Sequence, residues 1–196
     1  MSYSFHGLRL RVAAPDEVRR AFHARFASLP ADGDGPADLL FEVQSDTLER
    51  PERARTVYEP PGGEVVYDDD RDLLYLRQGR LSALCDPAAG RVLFSEPSTE
   101  EDLWVLSHPL LSVPMMELLK RRGLFGVHAA GASLDGKALV LAGTSGSGKS
   151  TLSVALARAG FGFLGDDTLF LREERVLAFP DEIDLTEESA GFFPDL

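Results

Sequence analysis

Apolar and polar residues alternate at the start of the chain and then change to helical spacing. Within residues 3–12 the alternation in the second half predicts a half-buried strand. Behind Pro15 the pattern becomes helical, and Pro30 is expected to end the helix. One face of that helix should pack on a sheet, because its apolar positions recur every three or four residues. These positions are Val18, Phe22, Phe26 and Leu29.

Short apolar runs separated by Gly, Pro and Asp follow from residue 39 to residue 94. Such runs are typical of strands joined by tight turns, and they predict an antiparallel meander. Asp68, Asp69 and Asp70 lie within this region. Consecutive residues of a strand or turn point in different directions, so we expect a solvated turn there rather than a metal site.

Two helices are predicted between the meander and Gly123. Ser98 or Thr99, followed by acidic residues, is typical of a helix N-terminus, and Gly123 marks the expected end. Pro109 and Pro114 should break or kink the segment, which predicts two shorter helices. We expect the large apolar residues of this segment in the core: Trp104, Leu110, Met115, Met116 and Leu119.

The segment from residue 124 to residue 160 predicts a hairpin, a glycine-rich loop and a helix. Asp135-Gly136 suits a tight turn between two strands. The second strand, residues 138–142, runs directly into the loop GTSGSGKS at Gly143–Ser150. Strand, loop and helix together are the context in which this motif binds phosphate. One side of the helix behind the loop is expected to contain Leu152, Leu156 and Ala159.

The loop has the composition of a phosphate cradle. Its three glycines let several backbone N–H groups converge on one anion. Lys149 is placed to reach the β- and γ-phosphates of a nucleotide, and the Ser150 hydroxyl is placed to coordinate Mg²⁺. We therefore expect ATP, or a close relative, and Mg²⁺ as ligands. The expected nucleotide-binding residues are Gly143, Thr144, Ser145, Gly146, Ser147, Gly148, Lys149, Ser150 and Thr151.

Two neighbouring carboxylates, Asp166 and Asp167, interrupt the next apolar run, FGFLGDDTLFL. Buried neighbouring carboxylates are costly unless they meet a cation or a proton donor, and Mg²⁺ at the nucleotide would supply a cation. If this strand lies beside the strand before the loop, one acid could hold the metal. The other could accept a proton from an attacking hydroxyl. A strand-ending Asp-Asp turn is the structural alternative.

Composition and charge narrow the choice of function. With 44% hydrophobic and 27% charged residues among 196, the chain matches an ordinary globular protein. A net charge of -12 disfavours nucleic acid as a partner, and the basic run Lys120–Arg122 is expected to be the last turn of a helix. Cys85 is the only cysteine, which excludes an internal disulfide or a Cys-based metal site. No stretch approaches a membrane span, so we expect a cytoplasmic protein without a membrane partner.

One histidine, His128, lies in the apolar strand before the hairpin, where a core role is the usual one. The order His128, Gly143–Ser150, Asp166-Asp167 resembles the catalytic domain of bacterial HPr kinase/phosphorylase. His128 lies fifteen residues before Gly143, and Asp166 lies sixteen after Ser150. The resemblance extends over about residues 123–180. The N-terminal part resembles diverged HPr-kinase-like proteins of small biosynthetic clusters, some of which are similar to peptide-modifying kinases.

The resemblance implies an α/β fold with a mixed-sheet P-loop domain akin to that of phosphoenolpyruvate carboxykinase. It implies that Lys149 serves the phosphates, that Asp166 accepts the proton of a Ser-type hydroxyl, and that Asp167 and Ser150 serve the metal. His128 would lie near the transferred phosphate. The implied activity is transfer of the γ-phosphate of ATP to a hydroxyl of a protein, peptide or small molecule, by a homo-oligomer.

The sequence departs from that family in two places. Thr151 stands where HPr kinases typically have an acid, and the family continues past the FPDEIDL segment with further strands and a basic residue that helps the transfer. We therefore expect a C-terminally truncated form, a site completed by a partner, or impaired catalysis. The expected organisation is an N-terminal α+β region with a meander (1–97), a helical connector (98–122) and an incomplete P-loop kinase-like domain (123–196).

Two other functions remain open from the sequence. One is a nucleotide-binding module or switch without transferase activity. The other is a plain P-loop ATPase or transport subunit, which is disfavoured because no signature of a transporter ATPase follows the loop.

Overall fold

The protein, analysed as a computed structural model, is described at residues 1–33, 35–179, 183 and 185–193. It is a mixed α/β protein that divides into two compact units, Met1–Arg122 and Gly123–Leu196. Strand exceeds helix, at 38% against 23%, so sheets form the framework of the chain. Residues 98–122, expected as a connector, lie in the first unit.

An eight-stranded sheet is the centre of the first unit, and three helices accompany it. The strands are β1 (Ser2–Phe5), β2 (Leu8–Ala13), β3 (Leu39–Gln44), β4 (Arg55–Tyr58), β5 (Gly63–Asp68), β6 (Leu73–Gln78), β7 (Leu81–Asp86) and β8 (Arg91–Ser95). Their spatial order is β1-β2-β3-β8-β7-β6-β5-β4. The helices are α1 (Asp16–Arg25), α2 (Glu100–Ser107) and α3 (Pro109–Lys120).

The single strand predicted over residues 3–12 is wrong, because β1 and β2 form an antiparallel hairpin there. The chain reverses at His6-Gly7, where both residues have positive φ, 48° and 88°. Two such residues are what a tight hairpin turn requires. Apolar residues stand at odd positions before the turn (Tyr3, Phe5) and at even positions after it (Leu8, Leu10, Val12). The prediction of a single strand overlooked this change of phase.

The antiparallel meander is confirmed for β4 to β8, in which each strand pairs antiparallel with the next. The prediction is wrong for β3, which pairs parallel with both β2 and β8. The helix α1 lies between β2 and β3 in the chain and returns it in the same direction, as a crossover between parallel strands must. The chain therefore contains a mixed sheet.

The apolar stripe of α1 is confirmed for Val18, Phe22 and Phe26, which are fully buried. The helix ends at Arg25 and not near Pro30, so Leu29 lies beyond it and is half-buried. The ring of Phe22 lies 5.8 Å from that of Phe94 on β8, so this helix packs on the sheet as expected. Between α2 and α3 the break comes at Pro109, the first residue of α3, whereas Pro114 is accommodated inside α3. The core prediction fails for Trp104, which is 59% exposed and stacks on His108.

A smaller apolar cluster contains Leu48, Ala54, Val66 and Tyr75. Beside it, Asp68 ends β5, and its carboxylate accepts hydrogen bonds from the backbone N–H groups of Asp70 and Arg71. The expected turn is therefore present, but only Asp69 and Asp70 are exposed, whereas Asp68 is buried. No group of three or more His, Cys, Asp or Glu side chains within the described part of the chain is arranged to hold a metal ion.

The second unit contains two three-stranded sheets. One has the order β11-β10-β12 and the other β14-β13-β9, and every pairing described in this unit is antiparallel. The mixed sheet expected for this unit is thus found in the first unit instead. The elements are β9 (Phe125–His128), β10 (Ala130–Leu134), β11 (Lys137–Leu141), α4 (Lys149–Arg158), β12 (Gly162–Gly165), β13 (Thr168–Arg172), β14 (Arg175–Ala178) and α5 (Glu187–Ala190).

The helix α4 packs on β10 and β12, with Ser153 and Val154 as its buried residues. Leu152 is 46% exposed, so the side of α4 that contains Leu152, Leu156 and Ala159 is not the buried one. Among the described helices of the whole chain, none is long and apolar enough to cross a membrane.

Candidate functional site

The glycine-rich loop connects β11 to α4 and has the backbone that its glycines permit. Gly146 and Gly148 have φ values of 77° and 86°, in the region where a side chain is strained. A Cβ on Gly143 would lie 2.5 Å from Oγ of Ser147, so a larger residue there requires the Ser147 side chain to move. The Ser147 N–H donates to the Thr144 carbonyl at 3.2 Å and closes the turn. Gly146 and Gly148 are the loop positions where the backbone itself favours glycine.

The loop ends at the N-terminus of α4, where Gly148 is the capping residue and no side-chain cap is formed. The first N–H groups of a helix have no partner within the helix, and the helix dipole is positive at this end. Loop residues 143–148 are all exposed. An exposed loop followed by a helix N-terminus without a side-chain cap is an arrangement that suits an anion.

Lys149 is the first residue of α4, and its ammonium group lies against the loop. Its Nζ donates to the carbonyl oxygens of Gly143 and Thr144, at 3.1 and 3.2 Å. Both acceptors belong to the loop that would hold the phosphates. Two backbone carbonyl groups of the loop therefore hold the ammonium group of Lys149 against it.

The strands of the β11-β10-β12 sheet bring the loop and the acidic pair to one edge. Both β11 and β12 are antiparallel to β10, so they run in the same direction with β10 between them. Leu141, at the end of β11, pairs with Ala130, and Gly165, at the end of β12, pairs with Gly131. Neighbouring strands lie about 4.8 Å apart, which places these two strand ends about 10 Å apart.

The condition considered from the sequence, that β12 lies beside the strand before the loop, is not met, because β10 separates the two strands. The ends of β11 and β12 nevertheless reach the same edge of the sheet, so the loop and the acidic pair both begin at that edge. Asp166 and Asp167 follow β12 directly and form the bend before β13. Asp166 is 6% exposed, whereas the side chain of Asp167 is 66% exposed, so the two acids differ in their access to solvent.

His128 joins this edge as the last residue of β9. It pairs with Thr168 in the register of β9 and β13, and the N–H of the following Ala129 donates to the carbonyl of Asp167 at 3.1 Å. These backbone contacts bring Nδ1 of His128 to 3.0 Å from Oδ1 of Asp167. A histidine–carboxylate pair therefore lies at the same edge as the loop.

Two further contacts involve α4 and residues 185–193. Oγ1 of Thr151 donates to Oγ of Ser189 at 3.0 Å, in the first turn of α4. The guanidinium of Arg158, in the last turn, lies 5.7 Å from the ring centre of Phe193. Residues 185–193 thus contact α4 at both of its ends. Part of the FPDEIDL segment lies outside the described residues.

Sequence reasoning missed both the Thr151–Ser189 contact and the His128–Asp167 pair. The first joins residues 38 positions apart through two hydroxyl groups, which no motif relates. The second had a usable signal, because His128 and Asp167 each lie at a strand end. The pairing of β9 with β13 was not predictable from either strand alone.

A surface pocket of about 650 Å³ lies in the first unit and is separate from this edge. Its charged groups partly pair with one another, as Arg53 does with Asp70 and Arg71 with Asp68. No residue of the loop, the acidic pair or His128 lines it. We place the candidate site at the sheet edge because the groups suited to phosphate chemistry meet there.

Comparison with known proteins adds no relative to this picture: no family model, no curated protein and no solved structure matches the chain.

Proposed function

We propose that the chain is a kinase that binds ATP through Gly143–Ser150 and passes the γ-phosphate to a hydroxyl of a protein, peptide or small molecule. The observation that carries the proposal is the arrangement of β11 and β12, whose carboxyl ends reach one edge about 10 Å apart. Phosphoryl transfer needs a phosphate cradle, a metal and a proton acceptor in one place. The loop, Asp166 and the His128–Asp167 pair supply these groups.

The residues at this edge fit a metal–nucleotide complex. The loop is open and exposed, and its glycine conformations leave the N–H groups of the helix start available to an anion. Ser150 and a carboxylate of the acidic pair would hold Mg²⁺, which neutralises phosphate charge when bound. The finer fold that we propose is a P-loop domain of the HPr-kinase-like class, supported by the order of these residues along the chain.

A second candidate is a nucleotide-binding module or switch without transferase activity. The observation that favours it is the contact between Asp167 and His128. In the kinase proposal the Asp167 carboxylate would bind the metal, whereas here it is engaged with a histidine. The two functions share nucleotide binding. They differ only in whether an acceptor hydroxyl receives phosphate.

Calorimetry of ATP and ADP binding with Mg²⁺ tests the shared part. We expect the wild-type chain to bind and the Lys149→Ala variant to lose at least about tenfold in affinity, because a charge-assisted contact to phosphate contributes about 1.5–3 kcal/mol. Lys137→Ala is the matched control, since Lys137 is an exposed lysine of the preceding strand β11. Equal affinity of wild type and Lys149→Ala would contradict the cradle assignment.

Transfer of labelled γ-phosphate from ATP separates the two candidates. Label appearing in a hydroxyl acceptor supports the kinase. Nucleotide binding without turnover in the presence of protein, peptide and small-molecule hydroxyls supports the switch. Hydrolysis that does not depend on an acceptor would contradict both and indicate an ATPase.

A further inference from the structure

The histidine–carboxylate pair at the sheet edge gives Asp167 a different task from the one that the sequence indicated. We propose that Asp167 is a positioning residue for His128: it accepts the Nδ1–H of the imidazole and leaves Nε2 to accept a hydrogen bond from the acceptor hydroxyl. This inference rests on the proposed kinase function for the hydroxyl. The positioning itself does not depend on it.

The contact between the two side chains has the geometry of a hydrogen bond. Nδ1 of His128 and Oδ1 of Asp167 are 3.0 Å apart. A carboxylate only accepts, so the proton on the shared line belongs to Nδ1. In neutral imidazole one nitrogen carries the proton and the other carries the lone pair, and the hydrogen bond made by one sets the state of the other. Nε2 of His128 therefore carries the lone pair.

The backbone holds the two side chains in register. His128 pairs with Thr168, the residue after Asp167, and the Ala129 N–H donates to the Asp167 carbonyl. Both residues are thus fixed by strand pairing on either side of the contact. A site on paired strands holds its geometry better than one on a free loop.

The exposure of the pair leaves room for a substrate. The side chain of His128 is 60% exposed, and the structure describes no partner for its Nε2 within the ranges that it covers. Nδ1 is engaged with Asp167, so Nε2 is the ring nitrogen left for a substrate. A lone pair at this position suits a hydroxyl, which can donate, and disfavours a bare phosphate oxygen, which cannot.

The contact between Asp167 and His128 also changes which residues we propose as metal ligands. One carboxylate oxygen of Asp167 is engaged with His128, so the proposal assigns the metal to Ser150 and to Asp166, which is 6% exposed. The proposal therefore predicts different metal dependence for variants at 150 and 167.

Nitrogen NMR of the imidazole of His128 is the direct test, recorded at the alkaline end of a pH series, where the spectrum of the ring no longer changes. We expect the Nδ1–H tautomer in the wild type and the Nε2–H tautomer in Asp167→Ala. Asp167→Asn should restore the Nδ1–H form, because the amide oxygen still accepts. Glu174→Ala, which removes an exposed acid from the β13–β14 turn, is the control and should match the wild type.

A wild-type imidazole in the Nε2–H form would overturn the positioning role, even if Asp167→Ala fails to fold. The same tautomer in the wild type and in folded Asp167→Ala would do so as well. These results are obtained without nucleotide or acceptor. Failure of the kinase proposal is therefore distinguishable, because it would leave the tautomer measurement unchanged.

Binding and kinetics test the two consequences. The Mg²⁺ concentration needed for half-maximal ATP binding should be unchanged in Asp167→Ala and raised in Ser150→Ala. If Asp167→Ala needs a higher Mg²⁺ concentration for ATP binding, Asp167 is a metal ligand and the proposed reassignment is wrong. In transfer assays Asp167→Ala should raise the KM for the acceptor by about tenfold, the loss of one hydrogen bond of about 1.4 kcal/mol, with the KM for ATP unchanged. An unchanged acceptor KM would contradict the role of His128.

Discussion

Arg121, in the basic run Lys120–Arg122, is held by side chains of the first unit. Its guanidinium donates to Asp72 at 2.7 Å, to Glu117 at 2.9 Å and to the Tyr67 hydroxyl at 3.3 Å. The hydrogen bond from Tyr67 lowers the pKa of the Asp72 carboxyl, and Arg121 adds to the effect. These contacts of Arg121 all lie within the first unit. They agree with the prediction that the basic run ends a helix.

Replacing Asp72 by Asn should reduce stability at neutral pH only modestly. Asp72 has a positive φ of 56°, which Asn tolerates, so the change removes charge without backbone strain. Its pKa is lowered in the folded state, so its contribution is present above about pH 4 and is lost as the pH falls below that value. Because the pair is partly exposed, we expect a loss of about 0.5 kcal/mol at pH 7 and none near pH 2.

Urea unfolding of the wild type and Asp72→Asn at both pH values measures this difference. Asp70→Asn is the control, since Asp70 makes a longer contact of 3.7 Å with an arginine that is 84% exposed. If the free energy of unfolding of Asp72→Asn is still lower than that of the wild type at low pH, the loss of charge is not the cause of the difference.

Cys85 illustrates the opposite case, a reactive group that its surroundings make inert. Its thiol is completely buried, and burial raises its pKa well above the usual range. The thiolate is the reactive form of cysteine. The single cysteine is therefore a core residue.

At the level of elements, α2 is defined by its N-terminus. Oγ1 of Thr99 accepts from the Asp102 N–H at 3.1 Å, and the Asp102 carboxylate accepts from the N–H groups of Ser98 and Thr99 at 2.9 Å. Arg80 on the β6–β7 turn pairs with the same carboxylate. The capping box thus fixes both the start of α2 and its attachment to the sheet.

Thr99→Ala should destabilise the first unit by about 1 kcal/mol, because one N–H at the helix start loses its acceptor. Ser98→Ala is the matched control: it removes the neighbouring hydroxyl, which contacts Arg80 and does not cap the helix. Thermal unfolding followed by circular dichroism compares the two variants. Equal losses would mean that the cap contributes nothing specific.

Element prediction succeeded where local chemistry decides and failed where a partner strand decides. The turn at Asp135-Gly136 is confirmed, because both residues adopt positive φ, 50° and 74°, as the dipeptide suggests. The direction of β3 was not predictable, since it depends on pairing with β2 and β8. Similarly, Trp104 is exposed because of the way α2 lies in the fold, which its apolar character alone does not reveal.

On the scale of the whole molecule, the candidate functional residues and the larger hydrophobic core lie in different units of the chain. The loop, Asp166, Asp167 and His128 all lie in the unit Gly123–Leu196. The eight-stranded sheet and most of the buried aromatic residues lie in Met1–Arg122. Ligand binding should therefore stabilise one unit directly.

Hydrogen exchange with and without ATP and Mg²⁺ should show this separation. We expect added protection in residues 125–172, because a ligand stabilises the structure that it binds, and little change in residues 1–122. Lys149→Ala should show no added protection in either unit. Protection that is equal in both units would contradict a site confined to the second one.

The sequence by itself determined the features that depend on short stretches of chain. These are the glycine-rich loop between a strand and a helix, the helix α1 with its apolar stripe, the capping of α2, and the hairpin turn before β11. Each follows from steric limits or hydrogen bonds among residues close in the chain, so composition and spacing are sufficient.

Only the tertiary structure decided which distant groups meet. It inserted β10 between β11 and β12, left Asp166 nearly buried and Asp167 exposed, and paired Asp167 with His128 across β9 and β13. Strand pairing depends on the free energy of whole sheets, so no single strand encodes its neighbour. For the same reason the loop was legible in the sequence, whereas the histidine–carboxylate pair beside it was not.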